Sequence, residues 1–188
     1  MLPRTAIILL LLGLWSLPAL SSELELTANG DFELVLDEGW ELEVEGDELY
    51  FERATDLDGD PDYEVRLHCE DSHGRIELMQ TCFLPSLDTV LSADLRTSAT
   101  DAFGAWSAAG LMIRYLDEFG LQLGRTFVGS RSQNCPWEPA GDFDLIRGSD
   151  QWSQYNYVIS DLLAGLPAVD PQRVKQLEVA VVLSAANC

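Results

Sequence analysis

Residues 90–128, VLSADLRTSATDAFGAWSAAGLMIRYLDEFGLQLGRTFV, are the stretch whose reading decides the fold. Three segments of period two follow one another. Leu91, Ala93 and Leu95 alternate with Ser92, Asp94 and Arg96. Leu111, Ile113 and Tyr115 alternate with Met112, Arg114 and Leu116, and then Leu121, Leu123 and Phe127 fall on one parity. A strand sends successive side chains to opposite faces, so each segment predicts a strand with one side against a core. The link Asp117-Glu118-Phe119-Gly120 carries turn chemistry, with Asp early and Gly last. Together they predict the middle of an antiparallel β-sandwich.

The flanks read the same way. Trp40, Leu42 and Val44 alternate with Glu41, Glu43 and Glu45, which predicts a half-buried strand with an acidic outer face. Leu49-Tyr50-Phe51 makes the next short strand. Tyr63, Val65, Leu67 and Cys69 form another, as do Ile76, Leu78, Gln80 and Cys82, and a turn at Ser72-His73 would join these two as a hairpin. Further strands are expected at 142–146, 152–159 and 177–183. Residues 160–165 read as a capped helical turn ended by Gly, and Asp170-Pro171 as the start of a second. No repeat, linker or heptad interrupts the pattern. The expectation for 22–188 is one all-β sandwich domain with one or two short helical turns.

Residues 1–21 read as a signal peptide: Arg4, an apolar run, then the small residues Ala19 and Ser21 two apart, with cleavage after Ser21. The run is shorter than the ~20 residues a spanning helix needs. The expectation is therefore an exported chain, periplasmic or extracellular, with no membrane insertion after cleavage. The sequence holds 11 basic and 32 acidic residues, for a net charge of −21. Such a surface repels nucleic acid and anionic lipid, and neither is expected as a partner. Cys69, Cys82, Cys135 and Cys188 are an even set, which in an exported chain predicts two disulfides with three connectivities. Proximity in sequence suggests Cys69 with Cys82 and Cys135 with Cys188. The hairpin just described would leave Cys69 and Cys82 about 20 Å apart, so the connectivity stays open.

Asn29-Gly30-Asp31-Phe32-Glu33 followed by Gly39-Trp40 resembles the opening of the jelly-roll carbohydrate-binding modules of the family four, nine and twenty-two group. Gln80-Thr81-Cys82 before residues 91–96, then residues 111–117, and the late Trp152-Ser153-Gln154-Tyr155, match such modules more loosely in the same order. The resemblance implies a galactose-binding-like β-sandwich. It also implies a structural calcium site to which Glu33 contributes, together with Glu178 in the closing strand. There Glu178-Val179-Ala180-Val181 departs from the usual acidic residue before Asn or Asp.

The residues themselves offer two chemistries. Asp56, Asp58, Asp60 and Asp62 crowd carboxylates onto one loop, and oxygen ligands suit Ca²⁺. Pro61 stands where an EF-hand needs Gly, and the competing reading is a solvated turn. Sugar binding needs exposed aromatic faces. Trp106 and Trp137 lie in irregular segments suited to that, with Arg114 on the second face of the central strand, whereas Trp40 and Trp152 sit in core pattern. Catalysis has little to build on. His68 and His73 are the only histidines, and no Gly-x-Ser-x-Gly, His-Glu-x-x-His or phosphate loop appears. The expectation is an exported non-catalytic module holding a glycan through Trp106, Trp137 and Arg114. The alternative is a calcium-stabilised structural or interaction protein of the cell envelope with no sugar site.

Overall fold

The computed structural model of the protein describes residues 27–55, 63–69, 73–100 and 105–186. The segment 1–21, the aspartates Asp56, Asp58, Asp60 and Asp62, and Cys188 lie outside them. The described chain is an all-β sandwich of ten strands. These are β1 (Glu41–Gly46), β2 (Leu49–Thr55), β3 (Tyr63–Cys69), β4 (Gly74–Phe83), β5 (Val90–Leu95), β6 (Trp106–Leu116), β7 (Gln122–Arg131), β8 (Phe143–Arg147), β9 (Ser153–Val158) and β10 (Gln176–Ala186). A short helix α1 (Ile159–Ala164) follows β9, and a single 3-10 turn spans Pro171–Arg173.

Six strands make the main sheet, in the order β1-β4-β10-β6-β7-β8, antiparallel except for the β7–β8 pair. The closing strand β10 lies at its centre, because its run of apolar residues can be buried on both faces. Leu111, Ile113, Tyr115, Val128, Leu177 and Val179 point to the first face. The second layer covers them: β5 paired with β9, then Ile159, Leu162 and Leu163 of α1, with Leu166, Val169 and Val174 beyond. Ala108, Met112, Phe127, Phe143, Ala180 and Val182 point to the opposite face, where Trp137 and Trp106 pack on them.

Several local expectations are corrected. Residues 90–95 do not continue the sheet of β6 and β7; they cross to the second layer and pair with β9. Leu91, Ala93 and Leu95 nevertheless pack on the core, as their parity predicts. The hairpin of β3 with β4 does not form. β3 pairs with β2, whereas β4 pairs with β1 and β10. Leu121 is 61 % exposed rather than in the core. It lies in the turn before β7, and a bulge in the β6–β7 ladder breaks the expected parity: Tyr115 faces Gly124 and Leu116 faces Gln122, leaving Leu123 as the extra residue, packed on the first-face core while Phe127 packs on the opposite face. Helix α1 starts at Ile159 with no side-chain cap, so Ser160 does not cap it. Gly165 ends it in ordinary helical conformation, and what it supplies is space, since a Cβ there would stand 2.8 Å from Asp144 Oδ2.

The opening segment, from Ala28 to Trp40, is fastened to the main sheet. Gln80 Oε1 accepts from the Ala28 backbone at 2.6 Å and its Nε2 donates to the carbonyls of Ala28 and Gly39. Trp40 Nε1 donates to the Asn29 carbonyl at 3.0 Å, and the Trp40 ring lies 5.3 Å from Phe32. Asn29, in left-handed conformation, closes the turn by accepting from Leu34 N at 2.8 Å. Asn is one of the few residues that adopts this conformation at low cost, and its side chain can bond locally.

Candidate functional site

The open face of the main sheet gathers the residues that matter. Register and alternation place Arg75, Glu77 and Met79 of β4 on it, with Glu178 and Ala180 of β10, Trp106, Met112 and Arg114 of β6, Arg125, Phe127 and Arg131 of β7, and Phe143 and Arg147 of β8. All three sequence-predicted ligand residues, Trp106, Trp137 and Arg114, belong to this face.

Arg114 is not available to a ligand. It is 8 % exposed. Its Nη2 lies 2.7 Å from both Glu77 oxygens, and its Nη1 donates to Glu178 Oε1. Arg75 adds a second ion pair to Glu77. Burial works against the Arg114 charge, but the hydrogen bonds and attraction of Glu77 and Glu178 outweigh it and hold the guanidinium above its ordinary range. Glu178 is thereby committed to Arg114. Glu33 sits on the opening segment, where its backbone carbonyl accepts from Arg53 at 2.7 Å. No group of three or more His, Cys, Asp or Glu side chains among the described residues is placed to hold a metal.

Trp106 and Trp137 do meet. Their ring centroids are 6.1 Å apart with the planes inclined at 55°. Trp137 stands edge-on to Phe127 at 5.1 Å and Phe143 at 6.2 Å. Both tryptophans are half-buried, so each keeps part of its surface in solvent. The loop carrying Trp137 is tied down by Arg131, which donates to the Trp137 carbonyl, and by the Cys135 and Ser132 backbones. Phe127 finds room because Gly110 and Gly129 oppose each other beneath it; a Cβ on Gly129 would stand 2.6 Å from Phe127 Cζ.

The residue that sequence reasoning missed is Arg125. It lies directly opposite Arg114 and over the Phe143 ring at 4.3 Å. Its guanidinium makes no hydrogen bond or ion pair among the described residues. Burial first, then the neighbouring Arg114 and Arg75 charges, push it below its ordinary value, with Asp142, whose carbonyl accepts from the Arg125 backbone at 2.8 Å, and Glu77 opposing. A hairpin without a bulge would have set Gly124 opposite Arg114. The bulge, invisible in the alternation, brings Arg125 there instead.

A separate open cleft of about 350 Å³ lies on the β2–β3 hairpin, lined by Tyr50, Phe51, Glu52, Arg66 and His68. Its charged pair is internally satisfied, Arg66 to Glu52 at 3.2 Å. Among the cysteines, Cys69 faces Leu49 and Cys82 faces Leu177 across their ladders, and both thiols are free. The suggested Cys69–Cys82 disulfide is thus not formed in this structure. Cys135 is buried beside Trp137.

Neither a protein-family model nor a curated protein matches this chain.

Proposed function

We propose that the protein is an exported, non-catalytic carbohydrate-binding-like module that holds a glycan on the open face of its main sheet by aromatic stacking and hydrogen bonds. The observation that carries this reading is the meeting of Trp106 and Trp137, from β6 and from the loop after β7, at 6.1 Å on one face. Pyranose C–H groups stack on aromatic rings, while flanking polar side chains take the hydroxyls. The resemblance of residues 29–33 and 39–40 to the opening of jelly-roll carbohydrate-binding modules supports the same reading, as does the signal-like segment 1–21 for export.

A second reading is a calcium-stabilised structural or interaction protein of the cell envelope. What favours it is the edge-on packing of Trp137 on Phe127 and Phe143, which occupies that ring whether or not a ligand is present. Titrating tryptophan fluorescence against a panel of polysaccharides, with and without calcium, separates the two. A ligand-dependent shift lost in Trp106→Ala and Trp137→Ala supports the binding module. Silence to every glycan, with calcium raising the melting temperature, supports the structural reading.

A further inference from the structure

Of the chain's 11 basic residues, five lie on one face of one sheet: Arg75, Arg114, Arg125, Arg131 and Arg147. Glu77 and Glu178 of β4 and β10 answer them, and Glu41, Glu43 and Glu45 of β1 stand on the same face at its far edge. The five carboxylates gather on β1, β4 and β10, so in a chain of net charge −21 the β6–β8 end, with Arg114, Arg125, Arg131 and Arg147, is locally positive, and the two tryptophans stand within it.

The five arginines are not equivalent. Arg114 and Arg75 are held by Glu77, and Glu178 completes the claim on Arg114. Arg131 is taken by the Trp137 carbonyl and by Glu138 at 3.5 Å. Arg125 is half-buried and has no partner for its fork among the described residues, although a like charge stands directly opposite it. A cross-strand pair of like charges is unfavourable, even with Glu77 and Glu178 offsetting Arg114, and a half-buried guanidinium with no protein acceptor among the described residues is only partly solvated. An incoming anion answers both costs. Its surroundings also define what else the ligand must offer. From Arg125 the ring of Phe143 lies at 4.3 Å, Trp137 lies 6.2 Å beyond Phe143, and Trp106 lies 6.1 Å beyond Trp137. A guanidinium is thus linked to the two tryptophans through the ring of Phe143.

We infer that this face takes an acidic glycan, one whose sugar carries a carboxylate as a uronate does, with the carboxylate on Arg125 and the ring against the Trp106–Trp137 pair. The inference rests on the glycan-binding reading above and adds the ligand's charge. A planar carboxylate matches the bidentate fork of Arg, which a neutral hydroxyl does not. The acidic side chains of β1 do not forbid it. Glu41, Glu43 and Glu45 lie four strand spacings from β7, roughly 19 Å, beyond the Debye length of ~8 Å at physiological salt.

The test is calorimetric titration of the full chain with trigalacturonate, its methyl ester and neutral galactotriose. The ester keeps the rings and removes the charge. Trigalacturonate should bind, the ester should bind roughly ten-fold more weakly or worse, and Arg125→Gln should lose the same factor for trigalacturonate alone. Arg125→Lys should recover only part of it, since an ammonium is a point charge without the fork. Equal binding of acid and ester, or acid binding untouched by Arg125→Gln, overturns the inference. Binding of galactotriose with none of trigalacturonate overturns it too, and leaves the glycan-binding reading standing. No binding of any of the three by the wild type sinks the uronate inference, and the polysaccharide panel then decides the wider reading separately. The ester comparison needs no variant, so it decides the matter even where Arg125→Gln folds poorly.

Discussion

Arg114 and Glu77 stand on strands separated by the whole width of β10, yet Arg114 Nη2 lies 2.7 Å from both oxygens of the Glu77 carboxylate. The side chain crosses above Ala180, whose methyl group leaves the passage open. Both partners are buried, at 9 % and 3 % side-chain exposure. Removing one member strands the other charge away from water, which typically costs about 3–5 kcal/mol, while replacing the whole set with apolar groups need not. Arg114→Leu should therefore lower stability by about that amount, read by denaturant unfolding. Arg114→Leu combined with Glu77→Leu should be less destabilising than the sum of the single changes. Additive losses would mean that the pair is not coupled.

Gly110 and Gly129 face each other under Phe127. A Cβ on Gly110 would stand 2.7 Å from Gly129 Cα, and one on Gly129 would stand 2.8 Å from Gly110 Cα. Neither backbone can retreat within the ladder. Gly110→Ala and Gly129→Ala should each cost about 1–3 kcal/mol by overpacking. Thermal melts of the two variants check this, and a neutral effect at both would show that the strands can separate there.

Asp117 governs the turn between β6 and β7. Its Oδ1 accepts from Phe119 N at 2.9 Å and Leu121 N at 3.0 Å, and Arg173 reaches Oδ2 at 3.4 Å. Desolvation raises its pKa, but the two backbone donors and Arg173 together prevail, so the carboxyl is held below its ordinary value of 3.8. With the folded value below the unfolded one, the stabilisation is full above the unfolded value and is lost as pH falls through the folded one. Melting temperature followed from pH 7 downward should show an acid-side decline in the wild type that is shallower in Asp117→Asn. Parallel curves would remove the carboxylate's role.

Burial pushes the Cys82 thiol up, with a Leu177 backbone hydrogen bond opposing. A thiol held protonated alkylates slowly. In the native protein Cys82 should react with iodoacetamide more slowly than a model thiol at the same pH, and in denaturant without reductant both Cys69 and Cys82 should label fully. A cross-linked Cys69–Cys82 peptide in the mass spectrum would contradict the free thiols described above.

The fold class was legible because burial writes itself into period two. Leu91, Ile113 and Tyr115 all pack on the core face that their alternation predicts. Which strand pairs with which was not, since Cys69 and Cys82 sit in equally good strands whichever partners they take. Trp106 and Trp137 could be singled out because both stand outside the sequence's strand pattern, although Trp106 opens β6 rather than lying in an irregular segment. Arg114 looked like a ligand residue only because its partners Glu77 and Glu178 are distant in sequence. Arg125 escaped notice because one bulged residue, Leu123, sets what lies across from Arg114.

Strand β1 ends the main sheet with one of its edges unpaired among the described residues, and it carries Glu41, Glu43 and Glu45 on one side and the exposed Leu42 and Val44 on the other. An unpaired edge is a template for another chain, and two copies meeting there would bring two rows of carboxylates together. The glutamates thus act as a fence whose height is set by the solvent. Concentrated salt lowers it, so association along this edge follows the ionic strength around three side chains at the rim of one sheet.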